Sequence, residues 1–81
     1  MENLTDNEKM VLKALVENAQ SEGGVEFIID DIADNLGKSK RSLAGTLASL
    51  QNKGFIDCFG GECYYDGQVR EQAIEWYNNN F

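Results

Sequence analysis

The chain has 81 residues, 42% hydrophobic and 26% charged, with a net charge of −7. A chain of that length makes one domain that buries roughly 60% of the surface its unfolded form exposes, and the composition suits a globular protein rather than a disordered one. The charge excludes indiscriminate coating of nucleic acid, and the absence of His removes the commonest general base and metal ligand.

Met1-Glu2-Asn3-Leu4 lacks the basic start and apolar stretch of a signal peptide, and no apolar run approaches the roughly 20 residues that span a bilayer. A cytoplasmic location without membrane contact is expected. Without Pro, each helix must be stopped by other means. Thr5-Asp6-Asn7-Glu8 is a capping box, and Val11, Leu12, Leu15, Val16 and Ala19 recur at helical spacing. They predict a first helix over about 5 to 21, ended by Gly23-Gly24. Val25 to Ile29 is β-branched and aromatic and predicts a strand or extended arm.

Asp30-Asp31 supplies an N-cap and first-turn charge for a second helix whose apolar face is Ile32, Ala33 and Leu36, with Gly37 as a left-handed stop. Ser39 caps a third helix over about 40 to 52, closed by Gly54. Its core side is Leu43, Leu47 and Leu50. The opposite side collects Lys38, Arg41, Gly45, Ala48, Ser49 and Asn52, flanked by Ser42, Thr46 and Lys53. A helix-interior Gly costs about 1 kcal/mol against Ala, so Gly45 implies a close approach, by a neighbouring element of the chain before a partner.

Phe55 to Phe59 and Glu62 to Asp66 are strand-like runs joined by Gly60-Gly61, the signal of a tight primed hairpin. A two-residue loop pairs Phe59 with Glu62, Cys58 with Cys63 and Ile56 with Tyr65. Ile56, Cys58, Cys63 and Tyr65 then face inward, and Phe59 and Tyr64 outward. Asp66-Gly67 predicts a turn. Val69, Ala73, Trp76 and Tyr77 predict a last helix over about 68 to 79 with a polar tail Asn78-Asn79-Asn80. The fold class expected is mainly α with a small β-hairpin, in one domain over 1–81. Its helix-turn-helix unit lies at about 30–53 and its wing at about 55–66.

Charge is unevenly distributed. No acid lies between Asp34 and Asp57, and that interval holds Lys38, Lys40, Arg41 and Lys53, four of the seven bases. A cationic helix on an anionic domain can present one face to a phosphate backbone.

Leu36-Gly37-Lys38-Ser39-Lys40-Arg41-Ser42-Leu43, then Leu47, Leu50 and Asn52-Lys53-Gly54-Phe55-Ile56, resembles the turn, recognition helix and first wing strand of MarR-type winged-helix regulators. Leu4-Thr5 with Glu8 and Val11-Leu12 is similar to their first helix, so the resemblance covers about residues 4 to 66. It implies a winged helix-turn-helix, a three-helix core plus wing and C-terminal helix, that binds double-stranded DNA and regulates transcription. The third helix would enter the major groove N-terminal end first. Lys38, Lys40, Arg41 and Lys53 are the candidates for phosphate, and Arg41, Ser42 and Thr46 for base edges. Ser39 offers a further hydroxyl. Trp76, Tyr77 and Phe81 on the last helix most simply pack on the core, and the resemblance implies the alternative of a homodimer seam there, through Trp76 and Tyr77.

Two departures stand out. Ala44 and Gly45 replace longer polar or basic side chains, and Phe59-Gly60-Gly61-Glu62 gives the wing an acid and no base. The alternative is a winged-helix module that binds a protein partner through Phe59 and Tyr64. Cys58 and Cys63 as cross-strand neighbours fill a small core as thiols or pair as a disulfide. Two Cys without His do not make a zinc site, and Asp30, Asp31 and Asp34 are explained by capping. With no nucleophile–base pair and no nucleotide fingerprint, no enzyme, cofactor or metal is expected.

Overall fold

The computed structural model describes residues 4–59 and 66–81. Along it run α1 (Asp6–Ser21), β1 (Glu26–Phe27), α2 (Ile29–Leu36), α3 (Lys40–Asn52), β2 (Ile56–Cys58), β3 (Gly67–Val69) and α4 (Glu71–Asn80). The described part is therefore mainly helical with a small antiparallel sheet, an α+β arrangement. None of its helices is long and apolar enough to cross a membrane.

Local chemistry sets the ends of α1 and α3. The Glu8 amide donates to the Thr5 hydroxyl at 3.1 Å, and the Thr5 amide donates back to Glu8 Oε1 at 2.8 Å, which completes the capping box. Ser39 caps α3 by accepting from the Ser42 amide at 3.1 Å. Gly37 ends α2 with a φ of +66°, a left-handed conformation that a Cβ would strain.

The start of α2 differs from the expected one. Its N-cap is Ile28, which has no capping side chain, while Asp30 and Asp31 sit inside the first turn. Distant side chains satisfy two amides at this end. Asn18 of α1 accepts from the Ile28 amide at 3.0 Å and Asp66 from the Ile29 amide at 3.0 Å. This early start confines β1 to two residues, so Ile28 and Ile29 are not strand.

The sheet order is β1-β3-β2, with both pairings antiparallel. Ile56 lies opposite Val69 and Cys58 opposite Gly67, which replaces the expected pairing of Ile56 with Tyr65 and Cys58 with Cys63. The partner strand is later in the chain than the sequence pattern suggests. Gly67 belongs to it rather than to a turn, and Val69 is a buried strand residue rather than the first of a helix. The last helix starts at Glu71 and takes in Asn78, Asn79 and Asn80. Gly60, Gly61, Glu62, Cys63, Tyr64 and Tyr65, on which the tight-hairpin and disulfide expectations rest, lie outside the described residues.

One hydrophobic cluster holds these elements together. Val11, Leu12, Leu15, Val16 and Ala19 of α1 are fully buried against Ile32 of α2, Leu43, Leu47 and Leu50 of α3, and Phe27, Ile56 and Val69 of the sheet. Trp76 and Tyr77 of α4 cover it partially from outside, with the Tyr77 hydroxyl donating to Glu17 of α1 at 2.8 Å. Trp76 also meets Phe81 edge-on, with centroids 5.6 Å apart. Trp76 and Tyr77 therefore pack on the core from the outside and remain partly exposed.

Candidate nucleic-acid interface

At about 100° per residue the sequence of α3 divides it into stripes, and each meets a different environment. Leu43, Leu47 and Leu50 form the buried stripe. Arg41, Gly45, Ala48 and Asn52, on the opposite side, are all exposed. Thr46, Ser49 and Lys53 lie between the two and turn toward the first turn of α1.

There each of the three meets a polar side chain of α1. Asn7 donates to the Thr46 hydroxyl at 2.8 Å, and the Ser49 hydroxyl donates to Glu8 Oε2 at 2.6 Å. The Lys53 ammonium lies 2.8 and 3.0 Å from the two oxygens of the same carboxylate. Glu8 is the one buried charged residue among the described residues, at 5% exposure. Lys53 Nζ, Ser49 Oγ and the Thr5 amide, in that order of effect, outweigh the cost of burial and lower its carboxyl from an ordinary 4.5 to about 2. Thr46 and Lys53, expected at base and phosphate, are therefore occupied in orienting α3 on α1.

The N-terminal end of α3 remains open. Lys38, Ser39, Lys40, Arg41 and Ser42 are all exposed. The Ser42 hydroxyl donates to the Ser39 carbonyl at 2.9 Å, so both serines take part in the cap. Lys40 Nζ lies 2.6 Å from Asp30 Oδ1 on α2, and this hydrogen bond raises the Lys40 pKa. No salt bridge among the described residues engages Lys38 or Arg41. A Cβ placed on Gly45 would meet no atom within 4 Å, so the close approach inferred for it within the chain is absent.

The outer face thus has two unpaired cations and a third held by one carboxylate at its leading end, followed by nearly bare helix at Gly45 and Ala48. Ala and Gly there can bring the helix axis close to a surface, and the cations suit an anion. Phe59, at the end of β2, is 41% exposed as expected, while Tyr64 lies outside the described residues. No group of three or more His, Cys, Asp or Glu suited to a metal occurs among the described residues.

Sequence reasoning missed the Glu8 seam because the capping box already accounted for Glu8. The available signal was the run Thr46, Ser49 and Lys53, a polar stripe beside the leucine stripe rather than opposite it. Comparison with protein-family models, curated proteins and solved structures finds no match to this chain.

Proposed function

We propose that this is a small winged-helix DNA-binding protein, a transcriptional regulator that inserts α3 into the major groove. The observation that carries it is the exposed leading end of α3, with Lys38 and Arg41 in no salt bridge among the described residues, on a chain whose net charge is −7. The element order and the β1-β3-β2 sheet support a winged helix, as does the resemblance of residues 36 to 56 to MarR-type regulators. Lys38 and Arg41 contact phosphate, Lys40 joins them where Asp30 releases it, and Arg41 can also fork onto guanine O6 and N7. With Lys53 engaged by Glu8, three cations per chain remain, so log K against log salt slopes no more steeply than about −2.7.

The test is an amide NMR titration with a mixed-sequence duplex at roughly 50 and 200 mM salt, a range over which backbone contacts weaken measurably. Salt-sensitive shifts over residues 38 to 52, lost in a Lys38→Ala/Arg41→Ala variant, are the expected result. An unmoved spectrum at low salt sinks the reading. It would favour a protein-binding module instead, which the exposed Phe59 and the acidic surface support.

A further inference from the structure

A second surface lies on different elements. The sheet order leaves β1 at an edge. The Val69 amide donates to the Val25 carbonyl at 2.8 Å, and Glu26 stands opposite Gln68. Because an antiparallel ladder alternates, the peptide groups of Val25 and Phe27 point toward β3 and those of Glu26 point away from it. An unpaired strand edge is a template for another extended chain.

Beside that edge is a groove of about 420 Å³ lined by Glu22, Gly24, Val25, Glu26 and Ile28. Val25 and Ile28 are two of the few large apolar side chains left exposed, at 41% and 37%. Glu22 and Glu26 are exposed beside them and take part in no salt bridge among the described residues. The groove therefore combines an apolar floor, two uncompensated carboxylates and an outward-facing peptide unit. Phosphate is repelled there, and a cationic chain is attracted.

We propose that this groove docks an extended, lysine- or arginine-bearing segment of a protein partner, added as a strand alongside β1. An apolar side chain of the segment seats between Val25 and Ile28. Its flanking cations face Glu22 and Glu26, and its backbone pairs with Glu26. This is independent of DNA binding by α3.

The probe is a fluorescein-labelled nonapeptide alternating lysine and valine, with a lysine–serine counterpart as control. Expected are saturable binding, amide shifts centred on Glu22 to Ile28 and Gln68, and about tenfold weaker binding of the control, which lacks the apolar contact. Charge reversal at the exposed pair, Glu22→Lys/Glu26→Lys, should weaken the valine peptide at least about tenfold with an unchanged melting temperature. Equal binding of both peptides, shifts spread over the whole acidic surface, or no binding would each overturn the proposal. So would concentration-dependent shifts of the same residues without peptide, since the occupant would then be a second copy of the chain.

Discussion

Gly67 shows how one residue fixes the sheet. A Cβ there would run into the carbonyl oxygen of Asp57 and come within 2.8 Å of Phe27 Cζ. The Phe27 ring, fully buried, packs over the position a side chain would take. Glycine is thus used for space, since β1, β2 and β3 meet at this point. Gly67→Ala should cost at least about 2 kcal/mol through overpacking. For a domain of this size that lowers the melting temperature by roughly 8 to 16 °C. Calorimetry of the variant checks it, and an unchanged transition would mean that neither the Asp57 carbonyl nor Phe27 crowds Gly67. Asp-Gly is also a turn signal, which is why the sequence pattern places a turn here; pairing with β1 and β2 on either side outweighs it.

At the level of elements, the seam between α1 and α3 sets how α3 is presented. Leucines alone fix the buried side of a helix but leave some freedom of rotation about its axis. Three polar pairs along one flank, Asn7 with Thr46 and Glu8 with Ser49 and Lys53, remove it. Glu8→Gln removes the buried carboxylate that Ser49 and the quarter-exposed Lys53 share, at a cost between that of a surface and a buried pair, about 2 kcal/mol near neutral pH. The folded-state pKa of Glu8 lies below its ordinary value, so the pair's contribution is complete above about pH 4.5 and is lost as pH falls toward 2. Denaturant melts from pH 7 to pH 2 should therefore show the gap between wild type and variant closing over that interval. A gap independent of pH would falsify the ionised seam.

Legibility followed the range of the interactions. Thr5 with Glu8, Ser39 with Ser42, and Gly37 act within four residues, and the starts of α1 and α3 and the stop of α2 were readable from them. The leucine stripe followed from helical period, and the basic Lys38–Arg41 end from the uneven spread of charge along the chain. The α2 start depends on Asn18 and Asp66, and the strand partner of β2 depends on Gly67 and Val69, all remote in sequence. Val69 satisfies a helical spacing with Ala73 and Trp76, yet burial opposite Ile56 makes it a strand residue. The contacts of Thr46 with Asn7 and of Lys53 with Glu8 arise only from the packing of α1, so the sequence pattern does not show them.

Across the whole molecule, the acidic surface works against the proposed DNA contact and supplies a means of tuning it. Asp30, Asp31 and Asp34 are exposed on α2, next to the leading end of α3, and Asp30 holds Lys40. An ammonium held by a carboxylate releases few counterions from DNA. Lys38 and Arg41 alone give a salt slope of about −1.8, and adding Lys40 gives about −2.7. Asp30→Asn removes one repulsive charge and frees Lys40, so it should steepen the slope by about 0.9 and raise affinity several-fold at low salt. The same change takes a favourable acid from the first turn of α2, at a cost of about 0.5 kcal/mol, and the melting temperature should fall slightly while binding improves. Fluorescence anisotropy with a short duplex across roughly 50 to 200 mM salt separates the outcomes. A steeper slope with tighter binding assigns Lys40 to the phosphate contact. An unchanged slope leaves Lys38 and Arg41 as its only cations and makes the Asp30–Lys40 pair a link between α2 and α3.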